Sequence, residues 1–249
     1  PAQRIYLNRI ERSSSEIRFE KGDYNAYGGG LLFAPLLKRY KFCETIKKII
    51  DIKTLNGYSL EELCLTIFFM DIFGYNSIEN YKTVYSEEFG VLIGKLNSPS
   101  VYTLRRFLKK VKELKSSEKL IEECGKLYLK EGLIKWRVGY ADGHFYPYQG
   151  MHKIAMGWHT VRNKPMKGGE NFILTDEEFN PFIFMIRPST YDLLEILPEL
   201  IIKAKKIAKE LGYDENKLAV IFDREGYSAE LFKQFDNKED GASVIFITW

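Results

Sequence analysis

Two aspartates sit where chemistry could be done. Asp142 follows the run Lys135–Ala141, and Asp223 follows the apolar run Leu218–Phe222; both runs read as strands. In α/β sheets, ligands collect at the carboxyl ends of such strands. Two carboxylates brought together there repel unless they are protonated or bridged by a cation. Hard divalent ions such as Mg²⁺ (or Mn²⁺) take oxygen ligands of this kind. Paired ions clamp the attacking and leaving oxygens of a phosphodiester. The plainer alternative is that each aspartate only caps the turn or helix that follows it.

The stretch between the aspartates points the same way. From Gly143 to Gly169 there is no acidic residue, whereas Lys153, Arg162, Lys164 and Lys167 are all present. Phe145, Tyr146, Tyr148 and Trp158 interleave with them. Basic residues among aromatics suit a phosphate backbone and unpaired bases near a cleavage point; the alternative is an exposed loop and strand that lack acids by chance. His144, His152 and His159 also fall in this stretch, but their seven- and six-residue gaps match no usual zinc-ligand spacing. Arg224 beside Asp223 is read two ways, as a contact to the scissile phosphate or as a partner of a neighbouring carboxylate. Glu225 is the nearest further acid. Arg105, Arg106, Lys109 and Lys112 lie largely off the apolar stripe of their helix; such a face could lie on DNA, though solvation is the commoner use.

The elements that must hold these residues divide in two. Residues 1–30 read as an extended, charged segment ending in a loose Gly28-Gly29-Gly30 turn, which is no phosphate loop because no strand precedes it and no Lys-Ser/Thr follows. Residues 31–133 read as helical. Ser59 and Glu62 form a capping box, Gly74 ends that helix, Ser98-Pro99 opens another with Pro at its first position, and a further helix covers 117–130. Residues 134–249 read as strand, two hairpin strands (Asn171–Thr175 and Pro181–Ile186), a long helix from Thr190, strand, a short helix capped by Ser228, and a last strand at Ala242–Thr248. Gly212 is the expected C-cap of the long helix, and Pro198 a site for a kink within it. The order is that of an α/β layered domain with a mixed sheet.

Bulk properties narrow the field. The 249 residues suffice for a buried core, and 45% hydrophobic with 29% charged residues excludes disorder as the default. No apolar run reaches the roughly 18 residues of a membrane span, so no membrane partner is expected. No signal peptide is visible. Cys43, Cys64 and Cys124 are read as buried free thiols of a reducing compartment. The net charge of +3 is small, but residues 1–134 carry 22 Lys+Arg against 17 Asp+Glu, and residues 135–249 carry 15 against 17. A basic front and a balanced back fit a DNA-holding half and a carboxylate-using half. Because the chain stops inside the apolar run Val244–Ile247, it is expected to be part of a longer protein.

The motifs carry a resemblance. Tyr140-Ala-Asp142-Gly-His144-Phe-Tyr-Pro-Tyr-Gln-Gly150 resembles the first-aspartate motif of insertion-sequence DDE transposases of the broad type-four-like group. Val220-Ile-Phe-Asp223-Arg-Glu-Gly226-Tyr-Ser228 is similar to their second-aspartate motif. Gly29–Lys38, Tyr58–Leu63, Ser77-Ile-Glu79 and Pro99–Leu108 are similar to the helical region before that group's core. The resemblance implies an RNase H-like fold and a metal-bound Asp, Asp, Glu triad that cleaves and rejoins DNA at element ends. Asp142 and Asp223 would be the first two ligands, with the Glu expected beyond residue 249 and Glu225 the weaker in-chain choice. It also implies transposon-end and target DNA as partners and a cytoplasmic, nucleoid-associated setting, and leaves a homodimer open. Two other activities stay open: a catalytically incomplete, transposase-derived DNA-binding protein, and an RNase H-like metal-dependent nuclease.

Overall fold

The computed structural model describes residues 24–248, so most of the expected extended segment 1–30 lies outside the described residues. The chain divides into two compact units between Leu120 and Ile121.

In the first unit the glycine run is not a loose turn. Gly28–Phe33 is a 3₁₀ helix, anchored by the buried Tyr27 ring, which meets Phe73 and Phe89 edge-on at 5.3 and 5.1 Å. Helices α1 (Ala34–Arg39) and α2 (Phe42–Ile49) follow, then a hairpin, β1 (Thr54–Leu55) and β2 (Tyr58–Ser59). Its turn residues Asn56 and Gly57 both have positive φ, 51° and 81°, as a type I′ turn requires. Helix α3 (Leu60–Ile72) opens on the expected capping box: Ser59 Oγ accepts from Glu62 N at 3.2 Å, and Glu62 accepts from Ser59 N at 2.9 Å. After α4 (Ser86–Leu92), α5 spans Val101–Glu113 with Ser100 as its N-cap, so Pro99 lies outside the helix it was expected to begin. The Ser100 hydroxyl can receive Thr103 N, and a cap of that kind outweighs the preference of Pro for a first turn. Leu63, Phe89, Leu92 and Leu104 are fully buried at the centre of this unit.

Helix α6 (Ser117–Lys130) carries the division between the units, which therefore falls ahead of the 133/134 boundary expected. The reason is packing: Gly125 lets α6 approach so closely that a Cβ there would stand 3.1 Å from Ile183 Cγ2. The second unit is a mixed six-stranded sheet: β3 (Val138–Pro147), β4 (Met156–His159), β5 (Lys164–Asp176), β6 (Pro181–Pro188), β7 (Ala219–Phe222) and β8 (Ile245–Thr248). Its main order is β6-β5-β3-β7-β8, with β3, β5 and β6 antiparallel and β7 and β8 parallel to β3. That is the RNase H-like arrangement. Helix α7 (Leu193–Glu210) and helix α8 (Ala229–Asp236) complete the unit.

Strands β3, β5 and β8 differ from expectation, β8 by starting at Ile245 rather than Ala242. β3 does not stop at Ala141 but runs on through Asp142 to Pro147, because β5 pairs with it from Asp176 back to Gly168. β5 starts at Lys164 rather than Asn171, and its first residues pair with β4, which the sequence did not suggest. Helix α7 begins after Asp192, whose side chain accepts from Glu195 N at 3.0 Å, rather than at Thr190. Gly212, at φ 81°, follows its end as expected, and Ser228 caps α8.

Strand alternation sorts the sheet into two faces. Ala141, Phe172, Leu174, Met185, Val220 and Phe222 form one core with Leu197, Leu200, Ile201 and Ala204 of α7 and Phe235 of α8. Each Val, Leu, Ile, Phe or Met side chain so buried contributes about 1.5–3 kcal/mol. Helices α6, α7 and α8 all pack on this side. The opposite face presents Ile173, Phe184, Ile186, Ile221, Ile245 and Ile247, with Ile186, Ile245 and Ile247 more than half exposed.

Candidate active site

The parallel pairing of β3 and β7 builds the site. Its last register pair is Ala141 with Phe222, so Asp142 and Asp223 are the next residue on each strand. At this point β7 ends while β3 continues, which leaves Asp142 exposed and Asp223 half-buried. Asp142 Oδ1 accepts the backbone N–H of Gly143 at 2.9 Å. Asp223 caps a single 3₁₀ turn, Arg224–Gly226, its Oδ1 accepting Glu225 N at 3.0 Å. The Asp223 carbonyl receives the Thr248 hydroxyl at 3.2 Å, which ties the end of β8 to the same spot. The capping role considered for Asp223 is thus real, and it uses one of its two carboxylate oxygens.

Two further carboxyl groups share this field. Glu225 is pushed above the usual carboxylate range by burial, then by the charges of Asp223 and Asp142, against an opposing pull from Arg224. Glu170 is raised as well, by burial first, then by Glu225 and Asp142, with His144 opposing. The sequence did not single out Glu170. Its only signal was its place as the acid that closes the acid-free stretch, and register sets it opposite Phe145. Among the described residues no three His, Cys, Asp or Glu side chains converge closely enough to form a metal-holding group.

The other candidates fall in distinct places. His144 lies two residues along β3 from Asp142, hence on the same face. His152 stacks on Tyr148 at 6.3 Å, and His159 packs against Phe145 at 5.8 Å. Lys153, Arg162 and Lys164 are exposed and Lys167 is half-buried, and no carboxylate pairs with any of the four among the described residues. Arg224 is exposed beside Glu225. In the first unit Arg105 is ion-paired with Glu79, and Arg106 donates to Asn56 Oδ1 at 3.2 Å and lies over the Tyr102 ring; Lys109 is exposed. Burial pushes the Cys43 and Cys64 thiols up to about 12, with Glu61 adding to it, which leaves neither a thiolate nucleophile.

The described helices include none long and apolar enough to cross a membrane. No curated protein matches the sequence. A solved structure, the Mos1 transposase paired-end complex with left transposon end, aligns over 98% of this chain and 76% of its own, with 6% identity and a TM-score of 0.30. The model of the family described as transposase protein matches residues 25–244, and the chain belongs to that transposase family.

Proposed function

We propose that the chain carries a DDE-type DNA transposase site, in which Asp142 and Asp223 hold a divalent ion for phosphodiester hydrolysis and strand transfer at transposon ends. The observation that carries this reading is the register: parallel strands bring the two aspartates side by side at the one place where β7 stops and β3 is laid open. The donor set fits the ion. Both donors are carboxylates, and their neighbours Glu225 and Glu170 are raised by burial first and then by the nearby negative charge, a repulsion that a cation would relieve. Mg²⁺ binds through one or two carboxylates and keeps its remaining waters, so two protein ligands are a sufficient start. A bound ion would supply charge neutralisation and polarised water at neutral pH.

The chain's own residues supply the rest. Asp223 is fixed by the turn it caps and by the latch from Thr248, so its free oxygen is held in place in advance. Arg224 stands at the mouth of the site, where it can meet a phosphate oxygen. Lys153, Arg162, Lys164 and Lys167 hold the DNA backbone.

The test uses the full-length protein with Mg²⁺ and element-end DNA. Asp142→Asn and Asp223→Asn should each lower cleavage by about a hundredfold or more while leaving DNA binding in place. Undiminished cleavage by either variant would sink the assignment.

A further inference from the structure

We infer that the open sheet face running from Asp142 over β3, β5 and β4 is a stacking platform for unpaired nucleotides of single-stranded DNA. It rests on the reading of Asp142 and Asp223 as a DNA-cleaving site, and adds what that site's flank recognises. Alternation along β3 puts Asp142, His144 and Tyr146 on one face. Register continues that face onto the hairpin: Tyr146 lies opposite Gly169, Lys167 opposite Met156, and Pro165 opposite Trp158. The glycines confirm the assignment of faces. A Cβ at Gly157 or Gly168, the residues of opposite parity, would run into the Phe145 ring at 2.8 and 2.3 Å on the helix side. Trp158 and Lys167 therefore point away from the helices, on the same side as Asp142. At about 3.4 Å per residue, the eight residue steps of β5 from Ile173, opposite Asp142, to Pro165, opposite Trp158, make a track of roughly 27 Å, enough for a few nucleotides.

Its chemistry selects the occupant. Tyr146 is 65% exposed and Trp158 56%, and neither ring has an aromatic or cationic partner among the described residues. Between them the floor is bare, since a Cβ at Gly169 would meet only the Arg187 carbonyl within 4 Å. Lys167 borders that floor, and Arg162 and Lys164 stand at the hairpin tip, all without carboxylate partners among the described residues. Cations beside two bare rings match a polyanion whose base faces are accessible. A duplex hides those faces within its own stack, so it could use the lysines but not the rings.

The experiment measures fluorescence anisotropy of a labelled oligothymidylate and of a blunt duplex of equal length, titrated with the whole chain in EDTA. Trp158→Ala and Tyr146→Ala should each weaken oligothymidylate binding about tenfold, Trp158→Phe by less than about threefold, and duplex binding should stay within about twofold for all three. Unchanged circular dichroism spectra accompany the expected result, because both rings are exposed. Full oligothymidylate affinity in Trp158→Ala would overturn the proposal. So would a parallel loss for both DNA forms, no binding of oligothymidylate by the unmodified chain, or tighter binding of an oligouridylate, which would make RNA the occupant. With EDTA present the result is independent of metal. Cleavage retained by Asp142→Asn would defeat the active-site reading without altering this measurement.

Discussion

Asp142 and Asp223 stand next to each other because Ala141 and Phe222 are the last register pair of two parallel strands. Neighbouring strands lie about 4.8 Å apart, so residues far separated in sequence become immediate neighbours. Like charges brought close repel unless a cation bridges them, and the strands that lead to these two are buried. Val220 and Phe222 are fully buried under α7 and α8, which fixes the strand that delivers Asp223.

Divalent ions should therefore stabilise the protein through these two residues. Mg²⁺ or Mn²⁺ at ten times its dissociation constant should raise the thermal midpoint by about 3–5 °C. Asp142→Asn and Asp223→Asn should abolish the increment without lowering the midpoint measured in EDTA, because each removes a repulsive charge. Scanning fluorimetry with and without the ion reads both effects; an undiminished increment in either variant would count against that ligand.

Gly226 is required by space, not by backbone angle. A Cβ there would stand 2.4 Å from Phe222 Cδ2, in the turn that Asp223 caps. Gly226→Ala should cost about 1–3 kcal/mol of stability and displace Asp223, so cleavage should fall more than DNA binding does. Urea denaturation together with a cleavage assay distinguishes this from a neutral surface change.

Asp176 offers a test of the sheet apart from the site. Burial by itself would raise its carboxyl, but N–H groups of Lys135, Asn180 and Glu178 and the Asn180 amide hold it below the usual range. The four bonds measure 3.0, 2.9, 3.0 and 3.3 Å. A depressed carboxylate contributes stability above its unfolded value near 3.9, and that contribution is lost as pH falls through the folded value. Asp176→Asn should lower stability at pH 7 by about 2–4 kcal/mol and flatten the acid limb of the stability curve below about pH 4. Denaturation midpoints across that range measure it.

Lys164 and Lys167 should bind DNA where Arg105 does not. The hairpin cations lack carboxylate partners among the described residues, whereas Arg105 is occupied by Glu79. Lys164→Ala and Lys167→Ala should each weaken DNA binding severalfold and reduce the salt slope by about 1, while Arg105→Ala should change affinity less than about twofold. Titrations at several salt concentrations decide it; an equal slope change for Arg105→Ala would place the first unit on the DNA as well.

Local signals were legible wherever neighbours in sequence do the work. The capping box of Ser59 and Glu62, the Ser228 cap and Gly212 after α7 are each formed by residues within a turn of one another. The β4 hairpin was not legible, because Gly157, Pro165, Gly168 and Gly169 suppress strand propensity. Gly157 and Gly168 are needed there by the Phe145 ring, a contact that exists only once the strands have paired.

The sequence by itself determined the two aspartate motifs, the acid-free basic stretch, the order of helices and strands, and hence the mixed α/β class. Those features depend on residue type and short-range periodicity, which the chain carries whether folded or not. Only the tertiary structure decided that Asp142 lies within a long strand, that Glu170 enters the field of Asp142 and Glu225, and that the helices of the second unit share one face. Strand register and the choice of face come from pairings between distant segments, and a shift of one residue would turn every side chain to the other side. That choice places Trp158 and Tyr146 on the same face as Asp142 rather than beneath the helices.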